Sequence, residues 1–146
     1  MITWTKDRFD QEIGEVKRFA GEYVEPTPQA LREGLDYLKK KYNSAQPKIL
    51  IDNKWKNMQN TGSWNIDSID KIFKNLKRDR EKRDVSRIVT QFFGTGPIDE
   101  LNGNVACPIA VKLGDGSTIL IAGNTRLSMA RALGIRPKII EIETDW

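Results

Sequence analysis

The sequence predicts a mixed α/β fold in which a helical N-terminal extension precedes a small mixed sheet. Apolar residues recur at helical spacing within residues 1–47. Short β-branched runs follow at residues 105–113, 117–122 and 138–143, and a helical pattern bounded by two glycines separates the last two runs. An order of strand, turn, strand, helix and strand is typical of a small mixed α/β sheet. With 146 residues, we expect a single domain with its core over residues 48–146.

Two amphipathic helices are expected in the extension. The first covers residues 5–20 and ends at Gly21, and its inward face carries Phe9, Ile13, Val16 and Ala20. The second begins with Thr27 as the N-cap and Pro28 at the first helical position, and it runs to about residue 42. Its inward face carries Leu31, Leu35, Leu38 and Tyr42.

The middle of the chain is less regular. Residues 48–52 read as a short strand and residues 53–65 as a loop that contains Trp55 and Trp64. Tryptophans in such a loop either cover the core, which we favour, or form a stacking platform for a nucleic-acid base. A third helix is expected over residues 67–76, followed by a break in its apolar face.

A basic run follows this third helix. Residues 71–87 contain eight basic and three acidic side chains, a local balance of +5. This run is the best candidate for a nucleic-acid contact, although a run of mixed sign is more often a solvated face. The candidate contact residues are Lys77, Arg78, Arg80, Lys82 and Arg83.

Composition excludes several kinds of site. The chain has no His and one Cys, which excludes a His base, a His-ligated metal, a zinc cluster and an internal disulfide. Any chemistry must therefore use carboxylates, Lys, Arg, hydroxyls, backbone groups or a hard metal ion such as Mg²⁺. No apolar run approaches the roughly 20 residues of a membrane span, and residues 1–10 do not resemble a signal peptide. We expect a cytoplasmic protein with no membrane partner and, from its net charge of +4, a mild preference for polyanions.

The turn between the last two apolar runs carries the main functional signal. Gly123 permits a sharp change of direction, Asn124 or Thr125 is expected to cap the following helix, and Gly134 ends it. Arg126 falls in the first helical turn, where the macrodipole disfavours a cation by up to about 1 kcal/mol. Arg126 and the free N–H groups of this turn either hold one anion, such as a phosphate, or Arg126 pairs with a carboxylate or lies in solvent.

This region resembles the signature of the ParB/sulfiredoxin superfamily. The pattern Gly-Asn-Thr-Arg-Leu-x-x-Ala-x-x-Leu-Gly-Ile begins at Gly123, after an apolar strand and before Pro137, and the resemblance covers residues 94–143. It implies a nucleotide pocket for ATP, ADP or CTP with Mg²⁺, lined by this turn and by residues 103–111. Carried over by position, Gly123, Asn124, Thr125 and Arg126 would hold the phosphates.

Several further residues belong to the same hypothesis. The loop Gly94, Thr95 and Gly96 is a weak candidate for wrapping a phosphate, and Asp99 or Glu100 is a candidate base or Mg²⁺ ligand beside Arg126. Sulfiredoxin activity is not expected, because that family has a cysteine where this chain has Asn124. The single thiol, Cys107, is expected to be a core residue. Partition-type ParB proteins add a helix-turn-helix domain after this core, whereas the sequence here ends at Trp146, so centromere-style reading of a DNA site is not expected.

Three functions follow from these features. The first is a nucleotide-binding ParB-like protein acting as a small NTP hydrolase or phosphotransferase. The second is a DNA-binding or nuclease-like ParB domain that uses the basic run. The third is a non-catalytic module that docks a protein partner, for which exposed Trp4, Trp64 or Trp146 would speak. A nucleotide is the first expected partner, DNA the alternative, and a homodimer is compatible with each.

Overall fold

The structure is a computed structural model that describes residues 1–60, 86–95 and 100–146. In chain order its elements are β1 (Thr3–Thr5), a 3-10 helix (Phe9–Glu12), α1 (Ile13–Ala20), α2 (Pro28–Ser44), β2 (Lys48–Ile49), α3 (Asp52–Asn57), β3 (Gln59–Asn60), α4 (Ser86–Phe93), β4 (Asn104–Ala106), β5 (Ile109–Lys112), β6 (Thr118–Ala122), α5 (Asn124–Ala132) and β7 (Lys138–Glu143). The predicted mixed α/β class is confirmed.

In the described ranges, the main sheet contains five strands in the order β2-β7-β5-β6-β3. The hairpin between β5 and β6 is antiparallel, whereas β7 runs parallel to β5 after the crossover through α5. β1 pairs in parallel with β4 to form a separate two-stranded ribbon. This connectivity places the turn between β6 and α5 at the carboxyl end of β6, directly after the buried residue Ala122.

The sheet buries apolar side chains on both faces, because neighbouring residues of a strand point to opposite sides. One face packs against the N-terminal helices, and its cluster includes Ile109, Val111, Ile140 and Ile142 with Phe9, Val16, Phe19 and Leu38. The other face packs against α3, α4 and α5, and its cluster includes Ala110, Leu120 and Ile139 with Trp55, Phe92, Leu127 and Ala130. The N-terminal extension therefore covers one face of the sheet and shares its core.

The N-terminal predictions are partly correct. The second helix begins as predicted, with Thr27 Oγ1 accepting a hydrogen bond from the Ala30 N–H at 3.1 Å and Pro28 in the first turn. The prediction of one helix over residues 5–20 is wrong at its start. Residues 3–5 form β1, which the Thr3 N–H ties to the Gly103 carbonyl oxygen, and α-helix begins only at Ile13. Pairing with a distant strand therefore decides the conformation of these residues.

The predictions for the middle of the chain also need correction. The strand expected over residues 48–52 covers only Lys48–Ile49, and the loop expected to start at Asn53 instead begins within helix α3. Trp55 is 5% exposed and belongs to the core, so for this residue the core alternative is confirmed. Trp64 and the helix expected over residues 67–76 lie outside the described residues.

The strand expected over residues 105–113 is divided into β4 and β5 at Cys107 and Pro108. Proline has no N–H with which to continue a ladder, so pairing changes partner at this point. The hairpin and β7 form as predicted.

One buried charge lies within the main sheet. Glu141 on β7 has a side chain that is 2% exposed, and its carboxylate accepts a hydrogen bond from Lys48 Nζ at 2.6 Å and pairs with Lys54 Nζ. Burial alone would raise the pKa of Glu141, but the hydrogen bonds from the two lysines outweigh that effect and lower it. The ion pairs connect β2 and α3 to the centre of the sheet.

We expect Glu141→Gln to lower the free energy of unfolding by about 1–3 kcal/mol at pH 7, because two charge-assisted hydrogen bonds are weakened. A lowered folded-state pKa means that this stabilisation is complete above the ordinary value of 4.5 and is lost as the pH falls below it. Urea denaturation at pH 7 and pH 3 should show the difference between variant and wild type shrinking at low pH. Glu143→Gln, an exposed change on the same strand, is the control. A difference independent of pH would contradict the assignment.

Candidate functional site

The turn that begins α5 has a conformation that only glycine adopts easily. Gly123 is the N-cap of α5 and has φ +97°, and its carbonyl oxygen accepts the first helical hydrogen bond, from the Leu127 N–H at 2.9 Å. A Cβ atom at this position would lie 2.6 Å from Pro108 Cβ. The sequence prediction that Asn124 or Thr125 is the cap is wrong, since the N-cap residue is Gly123, which has no side chain.

The other end of the helix was predicted correctly. The Gly134 N–H donates to the Arg131 carbonyl oxygen at 3.1 Å, and the Ile135 N–H donates to the Ala130 carbonyl oxygen at 2.8 Å. These two bonds, with a left-handed glycine between them, form a Schellman motif. The predicted helix is therefore bounded by Gly123 and Gly134.

Arg126 is buried and has two hydrogen-bond partners within the chain. It is 7% exposed; its Nη2 donates to Glu12 Oε1 at 2.6 Å and its Nη1 to the Ala106 carbonyl oxygen at 2.9 Å. The sequence left three possible surroundings for Arg126: a bound anion such as a phosphate, a carboxylate, or solvent. In the structure Arg126 pairs with a carboxylate. The guanidinium thus joins three segments: the turn, the end of β4 and the 3-10 helix.

The two segments named by the family resemblance meet at this point. Pro108 packs against Gly123, and the Ala106 carbonyl oxygen is bonded to Arg126. Glu12, which completes the cluster, was missed by sequence reasoning. It lies 114 residues away from Arg126, and nothing in its local sequence distinguishes it from the other acidic residues of the chain.

Two neutral groups lie close to this ion pair. Burial raises the pKa of Tyr42 to about 12, with further increases from Asp7, Cys107 and Glu12 and a decrease from Arg126. Burial likewise raises the pKa of Cys107 to about 11, against a lowering by Arg126. The thiol is therefore protonated at neutral pH, which fits the prediction of a core residue and not a nucleophile.

The first turn of α5 also leaves polar groups without partners. Within the described residues, no backbone carbonyl oxygen accepts a hydrogen bond from the N–H groups of Asn124 and Arg126. Asn124 Oδ1 and Ser128 Oγ are buried without a hydrogen-bond partner, and they share one face of the helix because they are four residues apart. Buried polar atoms without partners are uncommon, and a ligand is one explanation for them.

A cleft of about 380 Å³ lies beside Tyr42 and Phe9 of the 3-10 helix. Its charged lining is mixed, with the cations Lys6, Arg8 and Lys39 and the carboxylates Asp7 and Asp10. Lys6 Nζ lies 4.9 Å from the centre of the Tyr42 ring and donates to the Ala45 carbonyl oxygen at 2.6 Å. Neither Glu12 nor Arg126 lines this cleft, so it is separate from the ion pair.

The glycine loop after α4 has another role in the structure. The Gly94 N–H donates to the Thr90 carbonyl oxygen at 2.8 Å and ends the helix, so it is not free to bind a phosphate. Thr95 and Glu100 are exposed, and no hydrogen bond or ion pair within the described ranges joins either of them to Arg126. Gly96 and Asp99 lie outside those ranges.

Some of the remaining predicted site residues lie outside the described residues, and others lie within them. The basic residues Lys77, Arg78, Arg80, Lys82 and Arg83 lie outside the described residues, so the nucleic-acid contact stays a prediction. Trp4 packs edge-on against Phe92, and Trp146 stacks on Tyr23; both are half-buried and do not form an exposed docking surface. Over residues 1–60, 86–95 and 100–146, no three carboxylate or thiol side chains are grouped to hold a metal ion.

Among the described residues, no helix has both the length and the apolar character needed to cross a bilayer. Comparison with known proteins gives no match: no family model fits the chain, and no curated protein or solved structure is significantly similar to it. The candidate site therefore depends on its own geometry and on the motif at Gly123.

Proposed function

We propose that this protein binds the phosphate groups of a nucleotide, such as ATP, ADP or CTP with Mg²⁺, at the turn from Gly123 to Arg126. The observation that carries the proposal is the position of the Arg126 guanidinium on the same turn as the N–H groups of Asn124 and Arg126, which have no backbone acceptor within the described residues. A cation is unfavourable in the first turn of a helix unless an anion shares that location. Glu12 supplies that anion within the chain, and a phosphate oxygen could occupy the same place.

The unpartnered side chains support a nucleotide over a bare phosphate. Asn124 Oδ1 accepts hydrogen bonds and has no donor, whereas a fully ionised phosphate provides only acceptors. Ribose hydroxyls and the amino groups of bases are donors that suit such an oxygen.

Hydrolysis or transfer of a phosphoryl group is the reaction class that suits this arrangement. Arginine and helix N–H groups stabilise the negative charge that develops on a transferring phosphoryl group. In this proposal Asp99 or Glu100 supplies the base or holds Mg²⁺.

The test is a thermal-shift scan with ATP, ADP, CTP and GTP, each with and without Mg²⁺. A nucleotide at 100 times its dissociation constant should stabilise the protein by about 2.7 kcal/mol and raise its Tm visibly. Arg126→Lys keeps the charge but loses the two-pronged geometry, so we expect at least a tenfold rise in Kd. Arg136→Lys, an exposed change, is the matched control. No shift with any nucleotide, or a shift that Arg126→Lys leaves unchanged, would contradict the proposal.

A further inference from the structure

Glu12 has an unusual position at the junction of two helices. It ends the 3-10 helix and is also the N-cap of α1, but its side chain makes no capping hydrogen bond. Its carboxylate instead contacts Arg126 in the first turn of α5, with Oε1 and Nη2 2.6 Å apart. The Glu12 carboxylate, which lies beside the N-terminus of α1, thus neutralises Arg126 in the first turn of α5.

The Glu12 carboxylate has room to leave Arg126. Its side chain is 21% exposed, whereas that of Arg126 is 8% exposed. The space beside Gly14, in the first turn of α1, is open, because a Cβ atom built there meets no atom within 4 Å. The Ile13 N–H of this turn already donates to the Asp10 carbonyl oxygen, so a carboxylate there would be stabilised by the helix macrodipole.

We propose that Glu12 is a displaceable internal ligand of the Arg126 site. A phosphate oxygen of the incoming ligand replaces Glu12 Oε1 at Arg126 Nη2, and the released carboxylate turns to the N-terminus of α1. This inference rests on the proposed function and adds the regulation of the same site. In the absence of ligand, Glu12 keeps Arg126 neutralised and oriented.

The same contact selects among ligands by charge. A ligand must interact with Arg126 more strongly than the carboxylate that it replaces. A pyrophosphate or a nucleoside di- or triphosphate carries several negative charges over adjacent oxygens, whereas a monophosphate or a carboxylic acid gains little over Glu12. The ligand class that fits is therefore a di- or triphosphate.

Glu12→Gln tests the proposal by calorimetric titration with ATP and with inorganic pyrophosphate. If Glu12 occupies Arg126 in about 90–99% of molecules, removing its charge lowers Kd about 10- to 100-fold, since apparent affinity scales with the competent fraction. Asp10→Asn is the matched control, because it makes the same change in net charge on the same 3-10 helix at an exposed position. We expect its Kd to stay within about twofold of the wild-type value.

The possible outcomes separate the two proposals. If the wild type binds but Glu12→Gln binds equally or more weakly, Glu12 only positions Arg126, and displacement is wrong while the nucleotide site stands. If neither protein binds ATP or pyrophosphate, the proposed function itself is wrong. An equal gain in Asp10→Asn would also overturn displacement, because net charge would then explain the effect.

A second variant covers the case in which Glu12→Gln fails to fold, as judged by circular dichroism. Glu12→Asp keeps the negative charge but is shorter by one methylene, which weakens its reach to Arg126. We expect an intermediate fall in Kd, of about three- to tenfold. An unchanged Kd in this variant would contradict displacement independently of the glutamine variant.

Discussion

Gly123→Ala is expected to lower the free energy of unfolding by about 2–5 kcal/mol. Holding alanine in a left-handed conformation costs about 1–3 kcal/mol, and here φ is +97°. The added methyl group would also lie 2.6 Å from Pro108 Cβ and 2.9 Å from Pro108 Cα, so the backbone of one segment must move. Overpacking of this kind typically costs a further 1–3 kcal/mol or so.

Gly116→Ala separates the two contributions. Gly116, in the hairpin between β5 and β6, has φ +89°, but a Cβ atom there meets nothing within 4 Å. This control should therefore show only the backbone cost, about 1–2 kcal/mol. Urea denaturation of both variants, followed by circular dichroism, measures the difference. Equal losses would mean that the contact between the turn and Pro108 does not hold the candidate site together.

The C-terminal half of the fold could be predicted because its signals are local. A β-branched run, a glycine and a helical apolar pattern ended by Gly134 lie next to one another in sequence, and the structure forms β6, α5 and β7 from them. Thr27 and Pro28 likewise act within one helical turn. Such signals depend on steric limits and hydrogen bonds over a few residues, so a single sequence contains them.

The errors occur where distant segments decide the structure. Residues 3–5 have no alternating pattern that would predict a strand, and they form one because β4 lies beside them. The helix α3 places Trp55 in the core and Lys54 against Glu141, which are contacts across the sheet. The sequence contains the side chains for these contacts but no local pattern that pairs them.

The candidate site combines a local sequence signal with a contact between distant segments. The sequence identifies a turn at Gly123 that is followed by a cation, Arg126, in the first turn of a helix. A cation is unfavourable there, so an anion was expected nearby. The choice between a phosphate and a carboxylate could not be made, since Glu12 is brought close only by the packing of the N-terminal helices on the sheet. The structure supplies the carboxylate, and the proposed displacement connects it with the phosphate.

Arg126→Ala is expected to destabilise the fold by about 2–4 kcal/mol, in addition to any loss of ligand binding. The substitution leaves the largely buried Glu12 carboxylate and the Ala106 carbonyl oxygen without their donor. Removing one partner of a buried ion pair costs up to about 3–5 kcal/mol, and the side chain of Glu12 is 21% exposed, so a smaller value applies here. A fall in nucleotide affinity in this variant could therefore reflect a damaged site, which is why Arg126→Lys is the better binding test.

A double-mutant cycle of Glu12→Gln and Arg126→Met measures the strength of the ion pair itself. Because the double variant leaves no unpaired charge, it should lose less stability than the two single variants together, by about 1–3 kcal/mol. Urea denaturation of the four proteins gives this coupling energy, and repeating it with saturating ATP tests displacement from the other side. If ATP replaces Glu12 at Arg126, saturating ATP must stabilise Glu12→Gln more than the wild type, by the free-energy equivalent of the ratio of their Kd values. A coupling energy near zero without ligand would show that Glu12 does not restrain Arg126, and no displacement would then be required for a phosphate to bind.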